Sequence, residues 1–304
     1  MATSRADATV PTDGPRKSGL RRNSLGILGA VAITAAFMGP SSSVYFGSFA
    51  AMSKAGPAYA FSIVLAIIGC LLIAHAVAEF SRKLPTAGMA YTFATATFGP
   101  RVGFMTGWLL LIGYIPIVSL LSAAVGILSE QFCKTYFDVS IPWWVFTTMS
   151  ILAVMYVCNS GVSRSARVIL AFLVFEVGVF TALFLTIIVK GGTDGNTLAP
   201  FNPGNSLTGT SGIAYGVLWA FWMFFGFEAA GTLGEETKDP RRNVPRALFA
   251  AVLIIGSYYV LSAYAAAIGF GVNSGAFATD GSPWDTLSQT YWGGNIGWLI
   301  LLTV

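Results

Sequence analysis

The stretch AFMGPSSSVYFGS, residues 36–48, lies in the middle of an apolar segment long enough to cross a membrane. It contains a Gly-Pro pair followed by three serines. Because proline lacks a backbone N–H and clashes with the preceding turn, we expect a helix to break or kink here. Irregular backbone is tolerated at membrane depth only where it is buried in protein or lines a cavity. The stretch therefore raises the question of what this interruption serves.

The composition places the chain among membrane proteins. Of its 304 residues, 55% are hydrophobic and only 10% are charged, and apolar runs of about 20 residues recur along it. The formal net charge of +4 arises from basic residues at the ends of these runs, so it indicates membrane topology and not nucleic-acid binding. One histidine and three scattered cysteines predict no metal site, and we expect no cofactor. The fold class is all-α polytopic membrane protein.

The apolar runs predict seven complete spans and the start of an eighth near residue 295. Their approximate limits are residues 24–52, 59–80, 102–129, 141–158, 166–189, 212–234 and 247–270. Residues 1–23 are polar and rich in Ser, Thr, Pro and Arg, which predicts a disordered cytoplasmic tail before a transmembrane domain over residues 24–304. The chain stops inside the apolar run NIGWLILLTV, so we expect a fragment of a longer protein.

Lysine and arginine set the orientation, because they concentrate in cytoplasmic loops. A cytoplasmic N-terminus leaves only Lys54, Lys134 and Lys190 on the outside. The sequence therefore predicts a multi-pass protein of the plasma membrane, with lipid as a partner and the N-terminus inside. The residues that this orientation places on the inner side are Arg5, Arg16, Lys17, Arg21, Arg22, Arg82, Lys83, Arg101, Arg164, Arg167, Lys238, Arg241, Arg242 and Arg246.

A second interruption falls in the sixth span, AFWMFFGFEAAGTLGEE, residues 220–236. Gly226 weakens the helix, and Glu228 places a carboxyl group near mid-membrane, where it should face a cavity or a partner. The first and sixth spans cross in opposite directions, and interrupted segments at corresponding positions of two halves point to a transporter's midplane site. A simple proline kink at Gly39 and Pro40 is the alternative.

The two interruptions together suggest a ligand class. A half-helix that begins at Ser41, Ser42 and Ser43 exposes backbone N–H groups and the positive end of its dipole, which suits a carboxylate. Half-helices that end near Gly39 and Phe225 expose carbonyl groups, which suit an ammonium. We expect a site for the backbone of an α-amino acid.

Two blocks of sequence resemble those of a known family. FFGFEAAGTLGEETKDPRRNVPRAL, residues 224–248, and AEFSRKLPTAGMAYTFATATFGPRVGFMTGW, residues 78–108, are similar to signatures of the amino acid–polyamine–organocation superfamily, in the branch of amino acid permeases. The resemblance implies two inverted five-helix repeats with helices 1 and 6 unwound, the second repeat being incomplete here. It also implies transport of amino acids or amines by proton symport or by exchange, and leaves the oligomeric state open.

The resemblance also implies roles for individual residues. Relatives usually carry Gly-Ser-Gly where this chain has Ser41, Ser42 and Ser43, so these serines, next to Pro40, would meet the substrate carboxylate. The carbonyls of Gly39, Trp222 and Phe225 would accept the ammonium beside Gly226. Trp222, four residues before that glycine, occupies the position of an aromatic gate in the similar arginine–agmatine exchangers. The serines in place of glycines are the departure from the family pattern.

Two acids are candidates for proton coupling. Glu176, isolated in the fifth span, could carry a proton, or it could be an internally hydrogen-bonded structural acid. Glu228 has equal claims to a structural and a coupling role. We interpret the function as secondary active transport without covalent chemistry, so the protein would not be an enzyme. The alternatives are an amino acid or amine exchanger and, less favoured, a receptor that binds amino acid without moving it.

The outer loops contain the last two predictions. Ser282 and Pro283 have the pattern of an N-cap with proline in the first helical position, which predicts a short amphipathic helix. Aromatic side chains near the outer interface are expected to form a belt at the membrane surface. These aromatics are Trp143, Trp144, Trp284, Tyr291 and Trp292.

Overall fold

The computed structural model describes residues 25–159, 162–272, 276–293, 296 and 298–303, and the side chains within those ranges except 162–166, 278 and 302. The predicted tail, residues 1–23, lies outside the described residues. The division of the chain into tail and membrane domain stays a prediction.

The regular structure of the described ranges is helical, apart from one parallel bridge between Leu25 and Thr237. We treat residues 40–55 as one helix, α2, because its three pieces Pro40–Ser42, Ser43–Gly47 and Ser48–Ala55 are continuous. The helices are α1 (Ile27–Phe37), α2, α3 (Tyr59–Lys83), α4 (Met89–Phe98), α5 (Pro100–Phe137), α6 (Trp143–Asn159), α7 (Val162–Lys190), α8 (Thr210–Met223), α9 (Ala229–Thr232), α10 (Pro240–Phe270), α11 (Pro283–Trp292) and α12 (Leu299–Thr303).

Each of the seven predicted spans corresponds to a helix or to a broken pair of helices. The long apolar helical runs that could cross a membrane are Ile27–Lys83, Pro100–Phe137, Arg167–Lys190 and Pro240–Phe270, and Trp143–Asn159 is a shorter apolar helix. The predicted all-α polytopic class is confirmed. The inverted-repeat relation between the two halves stays a prediction.

The structure differs from the predicted boundaries in three places. α5 continues to Phe137, eight residues past the predicted end, and α4 forms a separate helix between the second and third spans. α10 begins at Pro240, so most of the charged segment before the seventh span is helical and not a loop. Pro240 explains this start, because proline in the first helical position needs no N–H partner and fixes φ for the helix.

α10 forms the centre of the packing. It is rich in alanine, and most of its residues are buried against α3, α1 and α7. Gly256 brings the backbone of α10 close to Ile67 of α3, because a Cβ there would lie 2.8 Å from the Ile67 side chain. Small side chains permit this close approach between membrane helices. In contrast, α5 presents mostly exposed apolar side chains, as expected of a helix that faces lipid or further helices.

Candidate functional site

The first span is broken at residues 38 and 39. α1 ends at Phe37, and Gly39 adopts a left-handed conformation with φ of 51° and ψ of 64°. Pro40 then begins α2 in the first helical position. The first backbone bond of α2 runs from the Ser43 N–H to the Gly39 carbonyl at 2.8 Å. The amides of Ser41 and Ser42 precede that bond and are therefore not used within the helix.

The second break lies at residues 224–228, between α8 and α9. Gly226 has φ of 100°, which only glycine adopts without strain. Turn bonds from the Phe225 N–H to the Trp222 carbonyl and from the Phe227 N–H to the Phe224 carbonyl replace the helical pattern. The Phe225 carbonyl accepts no hydrogen bond from the described part of the chain.

The two breaks touch each other. A Cβ on Gly226 would lie 2.8 Å from the carbonyl oxygen of Phe37 and 3.4 Å from the amide nitrogen of Met38. The missing side chain thus lets the backbone of the second break lie against the end of α1. The pairing of interruptions in the first and sixth spans, which the sequence indicates, corresponds to direct contact in the structure.

The serine side chains bond to the carbonyls of the first break. The Ser42 hydroxyl donates to the Gly39 carbonyl at 3.0 Å, and the Ser43 hydroxyl donates to the Met38 carbonyl at 2.8 Å. Ser41, fully buried, lies with its hydroxyl oxygen 3.5 Å from that of Tyr258. In this conformation the serines therefore hold the break together.

Glu228 connects the second break to α5. Its carboxylate accepts from the Gly226 N–H at 3.1 Å and from the Tyr114 hydroxyl at 2.8 Å. The ring of Tyr114 also packs on that of Phe225, with centroids 5.0 Å apart. Glu228 thus provides a hydrogen-bond acceptor for the Gly226 amide, which the break leaves without a helical partner. The acid therefore has a structural contact, independent of any role in proton coupling.

Two tyrosines of α10 complete the polar surroundings, and the sequence reasoning missed them. The Tyr259 hydroxyl donates to the Met223 carbonyl at 2.8 Å, at the end of α8, while Tyr258 faces Ser41. Both side chains are buried, and Tyr259 is completely so. The sequence did contain a signal for them. Adjacent tyrosines in an apolar span bury hydroxyl groups, and these need hydrogen-bond partners within the bundle.

Glu176 lies beside the first break. It lines a cavity of about 480 Å³ between α1, α6 and α7, together with Gly39 and Ser150. The remaining walls are almost entirely aliphatic or aromatic. A single carboxyl group in such surroundings faces the end of α1, where backbone carbonyls accumulate.

Trp222 lies on α8, on the side of the breaks that the predicted orientation places outside. Its ring is half-buried, forms an edge contact with Trp219 at 5.7 Å between centroids, and lies beside Gly47 of α2. It therefore packs between α2 and α8. Phe225 is exposed and turned toward α5, so the two aromatics predicted near the ligand lie on different sides of the second break.

Backbone bonds join the start of α1 to the segment after α9. The Leu25 N–H donates to the Glu236 carbonyl at 3.1 Å, and the Lys238 N–H donates to the Leu25 carbonyl at 2.8 Å. The Ala87 N–H also donates to the Glu235 carboxylate at 3.2 Å, which joins the segment between α3 and α4 to the same point. The start of α1 and the segment after α9 are thereby held together.

A polytopic helical bundle with two touching helix breaks and buried polar groups around them has the architecture of a membrane permease. The chain belongs to the amino acid permease family, whose family model matches residues 28–304. The predicted family is therefore confirmed, and with it a multi-pass membrane protein.

Individual relatives differ in what their names say they carry. The chain is 33% identical to the low-affinity putrescine importer PlaP of Escherichia coli K12, over 68% of this chain and 44% of the relative. It is 27% identical to the branched-chain amino acid permease BcaP of Bacillus subtilis, over 68% and 46%. It is also 27% identical to the methylthioribose transporter of Bacillus subtilis, over 69% and 47%. The chain thus spans less than half the length of these curated relatives.

Proposed function

We propose that the protein is a secondary active transporter that moves amino acids or related amines across the plasma membrane by alternating access. The observation that carries this proposal is the contact between the two helix breaks at Gly226 and Phe37. Unwound backbone in contact at the centre of a bundle supplies both donors and acceptors to one ligand, as in transporters with discontinuous helices. The names of the relatives, a putrescine importer and an amino acid permease, agree with amines and amino acids as substrates.

The substrate would lie between the breaks with its charged groups on free backbone. The amides of Ser41 and Ser42 stand at the positive end of α2 and would bind a carboxylate. The open carbonyl of Phe225, with that of Trp222, would accept an ammonium, and that of Gly39 would do so after release of the Ser42 hydroxyl. Trp222, between the outer halves of both broken helices, would gate access from outside. The protein would perform no covalent chemistry.

We assign proton coupling to Glu176 in preference to Glu228. Glu176 faces a cavity at the end of α1, where loss or gain of a charge changes the field on the break directly. Glu228 accepts from the Gly226 amide on one oxygen and from the Tyr114 hydroxyl on the other, which favours a structural role in the second break. The cytoplasmic position of the N-terminus is part of this proposal and rests on the distribution of Lys and Arg.

Uptake by the intact protein in proteoliposomes tests the function. We expect accumulation of an amino acid or an aliphatic amine from a panel of both, driven by an inward proton gradient. Trp222→Ala and Ser42→Pro should each reduce uptake at least tenfold. Normal uptake by both variants would refute the site, and binding of substrate without any uptake would refute transport.

Proton coupling through Glu176 is tested by comparing two variants. Glu176→Gln should abolish the dependence of uptake on the proton gradient and leave counterflow of substrate intact. Glu130→Gln is the matched control, because Glu130 lies near the outer end of α5 and accepts from the Trp143 N–H at 3.1 Å, away from the cavity. Uptake that needs internal substrate and ignores the gradient in the parent protein would show exchange instead of symport.

A further inference from the structure

The short outer helix α11 places a tryptophan deep inside the bundle. Pro283 stands in its first helical position, as the sequence predicts, although Ser282 makes no side-chain cap. Trp284, the next residue, is 0% exposed. Its prediction as a belt residue at the membrane surface is therefore wrong, because a ring at the start of an amphipathic helix can turn inward as well as toward lipid. Trp143 and Trp144, by contrast, are exposed at 44% and 58%.

The indole of Trp284 bonds to the outer half of the first broken helix. Its N–H donates to the Ser48 hydroxyl at 2.9 Å and to the Val44 carbonyl at 3.2 Å. Val44 lies in the segment Ser43–Gly47, which is wound as a π-helix and follows Pro40–Ser42, the first turn after the break. The Val44 carbonyl also accepts the Ser48 N–H and the Ser48 hydroxyl, so the indole joins an acceptor that is already bonded within the helix.

An aromatic cluster fixes the ring in this place. The centroid of Trp284 lies 5.7 Å from that of Phe180 and 5.4 Å from that of Phe184, both on α7, and 6.0 Å from that of Phe277. Edge and tilted contacts of this kind add to the area that the ring buries. The indole N–H therefore has a defined direction, and helix α2 is what it faces.

The other end of α11 is attached to different helices. The Trp292 N–H donates to the Thr186 hydroxyl at 3.0 Å, and Lys190 donates to the Tyr291 carbonyl at 2.6 Å, both connecting to α7. The Tyr291 hydroxyl donates to the Gly269 carbonyl of α10 at 3.3 Å. α11 is thus anchored on α7 and α10 at its C-terminal end, while Trp284 at its N-terminal end holds α2.

We propose that Trp284 is a positioning residue that fastens the outer half of the first broken helix to α11. Its N–H holds Val44 and Ser48, and through them the start of α2 at Ser41 and Ser42, against a helix that is itself anchored elsewhere. The outer half of this helix moves only when this bond opens. This inference rests on the proposed function in one respect, because it takes α2 to be the part that moves during transport.

The test measures how often α2 separates from α11, without any substrate. Cys70, Cys133 and Cys158 are replaced by alanine, Tyr45→Cys is introduced as a reporter, and labelling by a membrane-impermeant maleimide is followed on intact cells. Tyr45 is suitable because it lies in the same π-helical segment and is only 9% exposed. Trp284→Phe keeps a six-membered aromatic ring and removes the pyrrole part of the indole with its N–H, so we expect labelling to be at least roughly fivefold faster, the effect of one net hydrogen bond, with the lost packing adding to it.

Trp292→Phe is the matched control. It removes an indole N–H from the same helix but frees α7 and not α2, so the labelling rate should stay within about twofold of the parent. Thermal stability should fall by less than in Trp284→Phe, because Trp292 is only half-buried. Unchanged labelling in Trp284→Phe, or an equal increase in Trp292→Phe, would overturn the proposal. If Trp284→Phe does not fold, Ser48→Ala decides, with roughly twofold faster labelling expected and an unchanged rate overturning it.

Faster labelling in a protein that moves no substrate would keep this inference and refute transport. Normal transport with unchanged labelling would refute this inference and keep the proposed transport function. The two proposals therefore fail separately.

Discussion

Gly226→Ala should separate the two helix breaks, and the loss of unfolding free energy can be estimated from the structure. An alanine at φ of 100° pays about 1–2 kcal/mol for the left-handed region. Its Cβ would lie 2.8 Å from the Phe37 carbonyl oxygen and 3.1 Å from the Phe37 carbonyl carbon, which are backbone atoms that cannot rotate away. Overpacking of this kind costs about 1–3 kcal/mol. We expect the free energy of unfolding to fall by about 2–5 kcal/mol.

Gly113→Ala is the control for this substitution, because no atom lies within 4 Å of a Cβ at Gly113, on α5. Reversible unfolding in mixed detergent micelles measures the free energy of both variants, and uptake in proteoliposomes measures their transport. Gly113→Ala should stay within about 1 kcal/mol of the parent, the range of helix propensity. A Gly226→Ala protein that equals Gly113→Ala in stability and in uptake would refute the close contact between the breaks.

Two further substitutions test contacts around the site. Tyr114→Phe keeps the ring on Phe225 but removes the bond to Glu228, so we expect a loss of about 1 kcal/mol of unfolding free energy in the same micelles. Partial burial raises the pKa of Asp285, on α11, so its charged form destabilises the fold and stability declines as pH rises from the unfolded pKa to the raised one. Asp285→Asn should therefore melt at a higher temperature than the parent at pH 7 and equal it below the unfolded pKa of about 3.9; a difference that persists in acid would contradict this.

The sequence predicted the existence of the breaks because glycine and proline act locally. Gly39, Pro40 and Gly226 determine backbone conformation whatever packs around them, so their effects could be predicted without a fold. The direction of a hydroxyl could not be predicted in this way. Ser42 and Ser43 could have faced a ligand, and only the path of the chain across the break brings the Met38 and Gly39 carbonyls within their reach.

The partners that come from distant segments were missed for a related reason. Tyr258, Tyr259 and Trp284 meet the broken helices only through the packing of α10 and α11, more than 30 residues away along the chain. Aromatic residues with a polar tip suit the membrane surface and the buried core equally, so composition alone does not separate these places. The wrong prediction of Trp284 as a belt residue follows from this ambiguity, and only its tertiary contacts show that it is buried.

The three serines bear on where an ammonium group would bind. A carbonyl oxygen has two lone pairs, and that of Gly39 already accepts the Ser43 N–H and the Ser42 hydroxyl. An ammonium arriving there must displace the Ser42 hydroxyl, whereas the Phe225 carbonyl in the second break is open. The glycines that relatives carry at the first and third of these positions have no hydroxyl, so the Met38 carbonyl would lose the bond that Ser43 gives it. On the proposed function, the Ser42 hydroxyl on the Gly39 carbonyl therefore favours recognition of the ammonium at the second break, while Ser43 occupies the Met38 carbonyl and the amides of Ser41 and Ser42 remain for the carboxylate.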